Sequence, residues 1–381
     1  MKKKSIIILF VFALFALNIC FIGCGSDDSH IRINGIRYSI DLTELDLSGM
    51  NLQDEDIVPL RYMTNLEELN LRFNHIRDLS PLSELANLEK VDLHRNQIND
   101  LSPLSGLANL TKLHVGGNEV SDLSPLSNLS NLRKLNLDSN EISDLSPLSN
   151  LTNLEELGLG FNEISDLSPL SELMNLDSLF LSFNEICDLS PLSRLTNLTG
   201  LSLSRNEIDD LRPLSELTDL TMLSLRDNQI NDIVRLSGLT NLIQLDLANN
   251  QIVDLSPLSS LTNLIGLSVD NNPISGDLLP LSGLTNLQAL ELINNQIVDL
   301  SPLSSLVNLN VLSLDNNQIV DLSPLSTLMN LNSLWLGDNQ ISDLSPLAEF
   351  EIQLDGTIYL RGNPIADWSP VAHIRNVDGR P

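Results

Sequence analysis

Apolar residues recur along this chain in one order. Residues 66–84, LEELNLRFNHIRDLSPLSE, show it: leucines at 66, 69 and 71, an isoleucine at 76, then leucines at 79 and 82, with mostly polar residues between. The skeleton L-x-x-L-x-L-x-x-N-x-I-x-D-L-x-P-L returns every 22 residues. Its L-x-L portion alternates with period two, which predicts a short strand pointing Leu69 and Leu71 inward and Asn70 and Arg72 outward. Asp78-Leu79-Ser80-Pro81-Leu82 sets a capping oxygen before a proline at a first helical position, which suits a single short turn, of the 3-10 type. A coil of this length has no room for a long helix.

A fixed period of this size implies a solenoid, because one repeat cannot bury its own apolar face and stacked repeats share one core. The asparagine marks the register: Asn74, Asn96, Asn118, Asn140, Asn162, Asn184, Asn206, Asn228, Asn250 and Asn272 keep the spacing, and Asn295, Asn317, Asn339 and Asn363 follow after small insertions. An amide with two donors and an acceptor can satisfy backbone groups at the turn, of its own coil and of the next, so these residues are expected to stack as a ladder. The reading is a solenoid of α/β type, an arc of about 15 coils with a concave parallel sheet and short turns on the convex side.

The repeats identify the chain as a leucine-rich repeat protein of the 22-residue class, and the N-x-I-x-D-L-S-P-L units resemble those of bacterial internalins. The resemblance covers roughly residues 42 to 371 and implies recognition of another protein through the concave face. Intracellular phosphatase regulators share a similar pattern, so the N-terminus has to discriminate. There, Lys2, Lys3 and Lys4 precede the apolar run 5–22, and Phe21-Ile22-Gly23-Cys24 resembles a lipobox, in which Cys24 becomes the lipid-modified first residue. The alternative is an uncleaved span, since the run is near the lower length limit for crossing a bilayer. The domain reading is 1–23 signal, 24–29 lipidated tether, 30–41 cap, 42–349 repeats, and 350–381 a last degenerate repeat with C-terminal cap. In the first cap, alternating apolar residues flank Asn34-Gly35, a hairpin signal, where internalins carry a helical cap.

The full chain carries 50 acidic against 21 basic residues, and loss of the signal would take the net charge from −29 to −32. So acidic a surface argues against nucleic acid as partner. With Cys20 in the signal and Cys24 lipidated, Cys187 has no disulfide partner, and a monomer without cofactor is expected. His94 and His114 fall at nearly equivalent sites of adjacent coils, too few ligands for a metal. Asp78, Asp100, Asp122, Asp144 and their counterparts recur once per coil and could cap the turn that follows or, as the alternative, hold calcium. No phosphate-binding loop or nucleophile–base set is visible, so an enzyme is not expected.

Recognition must then lie on the residues that vary. The outward strand positions stand six, four and two residues before each ladder asparagine. Near the N-terminus they collect a basic group, Arg72, Lys90, His94, Lys112 and His114; Phe180 follows mid-chain, and Trp335, Tyr359 and Arg361 come near the C-terminus. Aromatic residues and arginine are favoured at binding hot spots. The alternative role is a rigid envelope scaffold or spacer without a specific ligand.

Overall fold

The computed structural model describes residues 29–350 and 356–380. Cys24 and the export-signal features lie outside the described residues. Among those described, no helix is long and apolar enough to cross a membrane.

The chain opens with a hairpin, β1 (His30–Ile33) and β2 (Ile36–Ser39), turned by Asn34 and Gly35, both at positive φ. That is the backbone a two-residue turn matching strand twist demands. Ile31 and Ile33 face inward and join the core of the first coil. From β3 (Glu44–Asp46) onward, 16 parallel strands pair in sequence order into one sheet that ends at Val377–Asp378. Nearly all are three residues long, and their central apolar residues stack in register, Leu69 on Val91 and Leu201 on Leu223. Leu132, Leu135, Leu137, Ile142, Leu145, Leu148 and Leu151 show how one coil fills the interior: all are buried.

The ladder asparagines bind backbone on both sides. Asn96 donates from Nδ2 to the Leu93 carbonyl of its own coil and to the Leu71 carbonyl of the preceding one, each at 3.0 Å, and its Oδ1 accepts from the Ile76 N–H at 3.1 Å. The expected direction of this tie is therefore reversed. Each carbonyl such as Leu71 and each N–H such as Ile76 faces the following coil, so it is that coil's amide which reaches back to them. The tie loosens at the insertion in 275–280, where the Ile274 N–H to Asn295 Oδ1 bond lengthens to 3.4 Å.

On the convex side the aspartates cap their turns. Asp144 accepts from the Ser146 N–H at 2.8 Å and from the Ser146 hydroxyl at 2.9 Å, just ahead of the 3-10 turn Ser146–Leu148. The coil without the proline still forms its turn, Val234–Gly238, with Asp232 accepting from the Val234 N–H. Capping is thus sufficient where the proline is missing. At the C-terminal end Phe350, Val371 and Ile374 close the core, and Arg380 donates to the Val371 and Ile374 carbonyls.

Candidate binding face

The sheet register decides which outward side chains meet. Residues 22 apart in sequence fall side by side, so each outward slot becomes a row running along the sheet. The sequence candidates occupy three separate stretches of these rows. Lys90 and Lys112 lie beside Lys134 in one row, with Glu68 before them and Glu156 after. Phe180 stands alone mid-sheet, while Trp335 and Tyr359 are direct neighbours.

The N-terminal group is less basic than its residue types imply. Lys90 pairs with Glu68, and Lys134 with Glu156 at 2.7 Å, so acids at the two ends of the row balance its outer lysines and leave Lys112 in the centre. Burial holds His94 below its ordinary pKa despite nearby Asp92, and the Arg95 and Arg72 cations add to the depression. His94 is therefore neutral near pH 7. Nor are the two histidines equivalent: the register sets His114 opposite Asp92, with Nδ1 3.8 Å from a carboxylate oxygen, and places His94 two residues further along its strand. Arg72 lies over the Phe73 ring, 4.5 Å from its centroid, and His94 meets the same ring edge-on at 5.8 Å.

At the other end Trp335 and Tyr359 stack with centroids 3.5 Å apart and planes 12° from parallel. Arg361 is exposed two residues beyond Tyr359. Ser313, in the slot of Trp335 one strand earlier, is only 6% exposed although it points outward.

Two features of the face escape a reading by slots. The residue just before each ladder asparagine sits at positive φ from Phe73 to Gly362, including Arg95, Ser139, Phe161, Phe183 and Arg205. In this left-handed conformation a bulky residue is uncommon, and only asparagine, aspartate or glycine would have announced it. The row makes a rim: Phe161 and Phe183 stack at 3.9 Å, and the Arg205 guanidinium lies 4.7 Å from the Phe183 centroid. The second feature is a set of carboxylates withdrawn from water, Asp246 and Asp315 half-buried and Asp270 buried. Burial pushes the Asp246 and Asp315 carboxyls above their ordinary value and the Asp270 carboxyl up to about 6, although Asp270 accepts the Ile293 N–H at 2.6 Å. Convex aspartates such as Asp144, Asp166 and Asp254 move the other way. Hydrogen bonds from the Ser168 hydroxyl and N–H hold Asp166 below the usual carboxylate range. Among the described residues no three His, Cys, Asp or Glu side chains are placed to hold a metal ion.

Comparison with known proteins matches this geometry. The family model described as Leucine Rich repeats (2 copies) fits overlapping windows from residue 40 to 194, from 196 to 260, and at 307–349. The chain belongs to the leucine-rich repeat family. It is similar to an internalin of Listeria monocytogenes at 35% identity and TM-score 0.68, the match covering 87% of this chain and 91% of the other. It is also similar to a leucine-rich repeat protein of Leptospira interrogans at 28% identity and TM-score 0.74, covering 89% and 96%. The functional domain of the Listeria internalin InlJ, 24% identical with TM-score 0.71 over 85% of this chain and 75% of the other, shares the fold. No curated protein matches the sequence.

Proposed function

We propose that this chain recognises another protein through the concave face of its sheet and is held at the cell envelope by a lipid on Cys24. The observation that carries the first half is the Trp335–Tyr359 stack on outward strand positions. Leucine and isoleucine already fill the core slots of these coils, so packing of the interior does not use either ring. Large flat side chains that offer apolar area with one polar handle are what interface cores employ. The similarity to an internalin agrees with this reading. The lipid rests on the Phe21-Ile22-Gly23-Cys24 motif behind a lysine-led apolar run.

One observation favours a spacer role for part of the array. QIVDLSPLSS stands unchanged at 251–260 and at 296–305, and such repetition needs only shape.

The test uses partner captured from envelope fractions by the purified chain. Trp335→Ala should weaken that interaction by about 2 kcal/mol, a typical hot-spot loss, and leave the melting temperature nearly unchanged. Val320→Ala, an exposed apolar residue away from the strand face, should do neither. Retained binding with a sharply lowered melting temperature would assign the stack to C-terminal packing instead. For the anchor, Cys24→Ala should abolish labelling with radioactive palmitate and release the protein from membranes; continued labelling sinks the lipid.

A further inference from the structure

An apolar hollow of about 370 Å³ opens on the sheet face between Phe180 and Glu291. Small residues make it. Gly200, Ser202, Ser224, Gly266 and Ser268 occupy outward positions on strands where larger side chains would fill the space. Above this floor Phe180 is 40% exposed and Met222 51%. Two large apolar side chains held in water beside a hollow are a docking surface in need of an occupant.

Charge selects that occupant. Asp246 and Glu291 line the hollow, and Asp270 lies two residues beyond the intervening strand Gly266–Ser268. From residue 236 to residue 360 the sequence holds 13 aspartates and glutamates and no lysine, arginine or histidine. Arg226, the cation that acts on Asp246 and Asp270, also lies 3.5 Å from Asp227. An acidic occupant would bring like charge onto carboxylates that have only Arg226, shared with Asp227, as a nearby cation, and a second copy of this chain would bring its own −29. We propose that this hollow seats a cationic, extended segment of a partner protein, with an apolar side chain between Phe180 and Met222 and a lysine or arginine at Asp246 and Glu291. The proposal rests on recognition through the concave face and names the chemistry of what is recognised.

The full chain is titrated into fluorescent peptides of alternating lysine and leucine, and of alternating glutamate and leucine, at physiological ionic strength. The lysine–leucine peptide should bind and the glutamate–leucine peptide should not. Asp246→Asn with Glu291→Gln should weaken binding by about tenfold or more, and Met222→Ala by several-fold. Asp254→Asn with Asp299→Asn removes the same charge from the convex turns and should change the affinity by less than about twofold. These factors correspond to roughly 1.4 kcal/mol per tenfold. Equal weakening by the two double variants would mean diffuse attraction to an acidic surface and would overturn the proposal. So would tight binding of the glutamate peptide that is lost in Met222→Ala, although recognition by the concave face would then survive. That wider reading fails separately, through the Trp335→Ala measurement.

Discussion

The coils of Asn74 to Asn206 and those of Asn250 to Asn339 share one backbone and fill it differently. In both, the residue before the ladder asparagine is left-handed. The first group places Phe73, Arg95, Phe161, Phe183 and Arg205 there, with Gly117 and Ser139 among them, whereas the second places Asn249, Asn271, Asn294, Asn316 and Asp338. Asparagine and aspartate visit this conformation readily, but phenylalanine and arginine enter it at a cost of roughly 1–2 kcal/mol each. The ladder differs as well: Asn250, Asn272, Asn295, Asn317 and Asn339 are all buried, while in the first group only the end members Asn74 and Asn206 are, and Asn96, Asn118, Asn140, Asn162 and Asn184 between them are partly open to water. The later coils thus follow their local backbone preferences. The earlier ones depart from them on the rim, where strained residues belong if they serve contact rather than folding.

The largest effect should come from the ladder. Asn317→Leu removes the acceptor of the Ile297 N–H at 3.0 Å and the donor to the Leu292 and Leu314 carbonyls at 2.9 and 3.0 Å. With Asn317 only 7% exposed, water cannot replace these bonds. Unfolding in urea should show a loss of about 1–3 kcal/mol. Asn162→Leu breaks the same set of bonds, to Ile142, Leu137 and Leu159, but in a coil whose asparagine is half-buried, so it should lose less. Equal losses would mean that the difference in ladder burial between the two groups has no energetic content.

A smaller effect separates the rims. Ser139→Gly relieves a left-handed backbone at φ 56° and touches little else, so it should stabilise the chain by roughly 0.5–1 kcal/mol after glycine's entropy is subtracted. Asn316→Gly, at φ 55°, should gain nothing, because asparagine was not strained there. Phe161→Gly should fall between them, since it gives up the stack on Phe183, which is worth about 0.5–1.5 kcal/mol. If Asn316→Gly stabilises as much as Ser139→Gly in thermal melts, the two rims do not differ in strain.

Much of the architecture is legible in the sequence because a repeat states each fact many times. The strand slots, the asparagine ladder and the aspartate before each turn recur with the same neighbours, so their roles follow from spacing and side-chain chemistry. What hides is whatever depends on two coils at once. The pairing of Lys90 with Glu68 and of Lys134 with Glu156 follows from the spacing only when the coils are laid side by side, and a list of cations along the face overlooks it. The burial of Ser313 comes from its neighbours, and its own slot looks exposed. The left-handed rim is masked for a different reason: Phe73 and Arg95 are residues that would normally argue against it, and its usual signature, asparagine, aspartate or glycine, is continuous only in the later coils.

The smallest effect is a dependence on pH that distinguishes the two faces of the same coils. Burial raises Asp270 to about 6, above its unfolded value near 3.8, so between these limits the folded chain binds the extra proton. Its ionised form weighs against folding at neutral pH, and that penalty is relieved as pH falls through 6. The capping aspartates Asp299 and Asp321 have the opposite sign. Hydrogen bonds from Ser301 and Ser323 hold Asp299 and Asp321 below 3.8, so their contribution is complete above that value and is lost as pH falls further. Stability should therefore rise slightly from pH 7 to pH 5 and decline below about 4, since it follows the difference in protons bound by the two states. Asp270→Asn keeps an oxygen to accept the Ile293 N–H while removing the titration. It should flatten the rise between pH 7 and 5 and leave the acid decline in place. A variant that keeps the full rise would show that the desolvated carboxylate on the concave face is not its source, and the contrast between concave and convex aspartates would have to be given up.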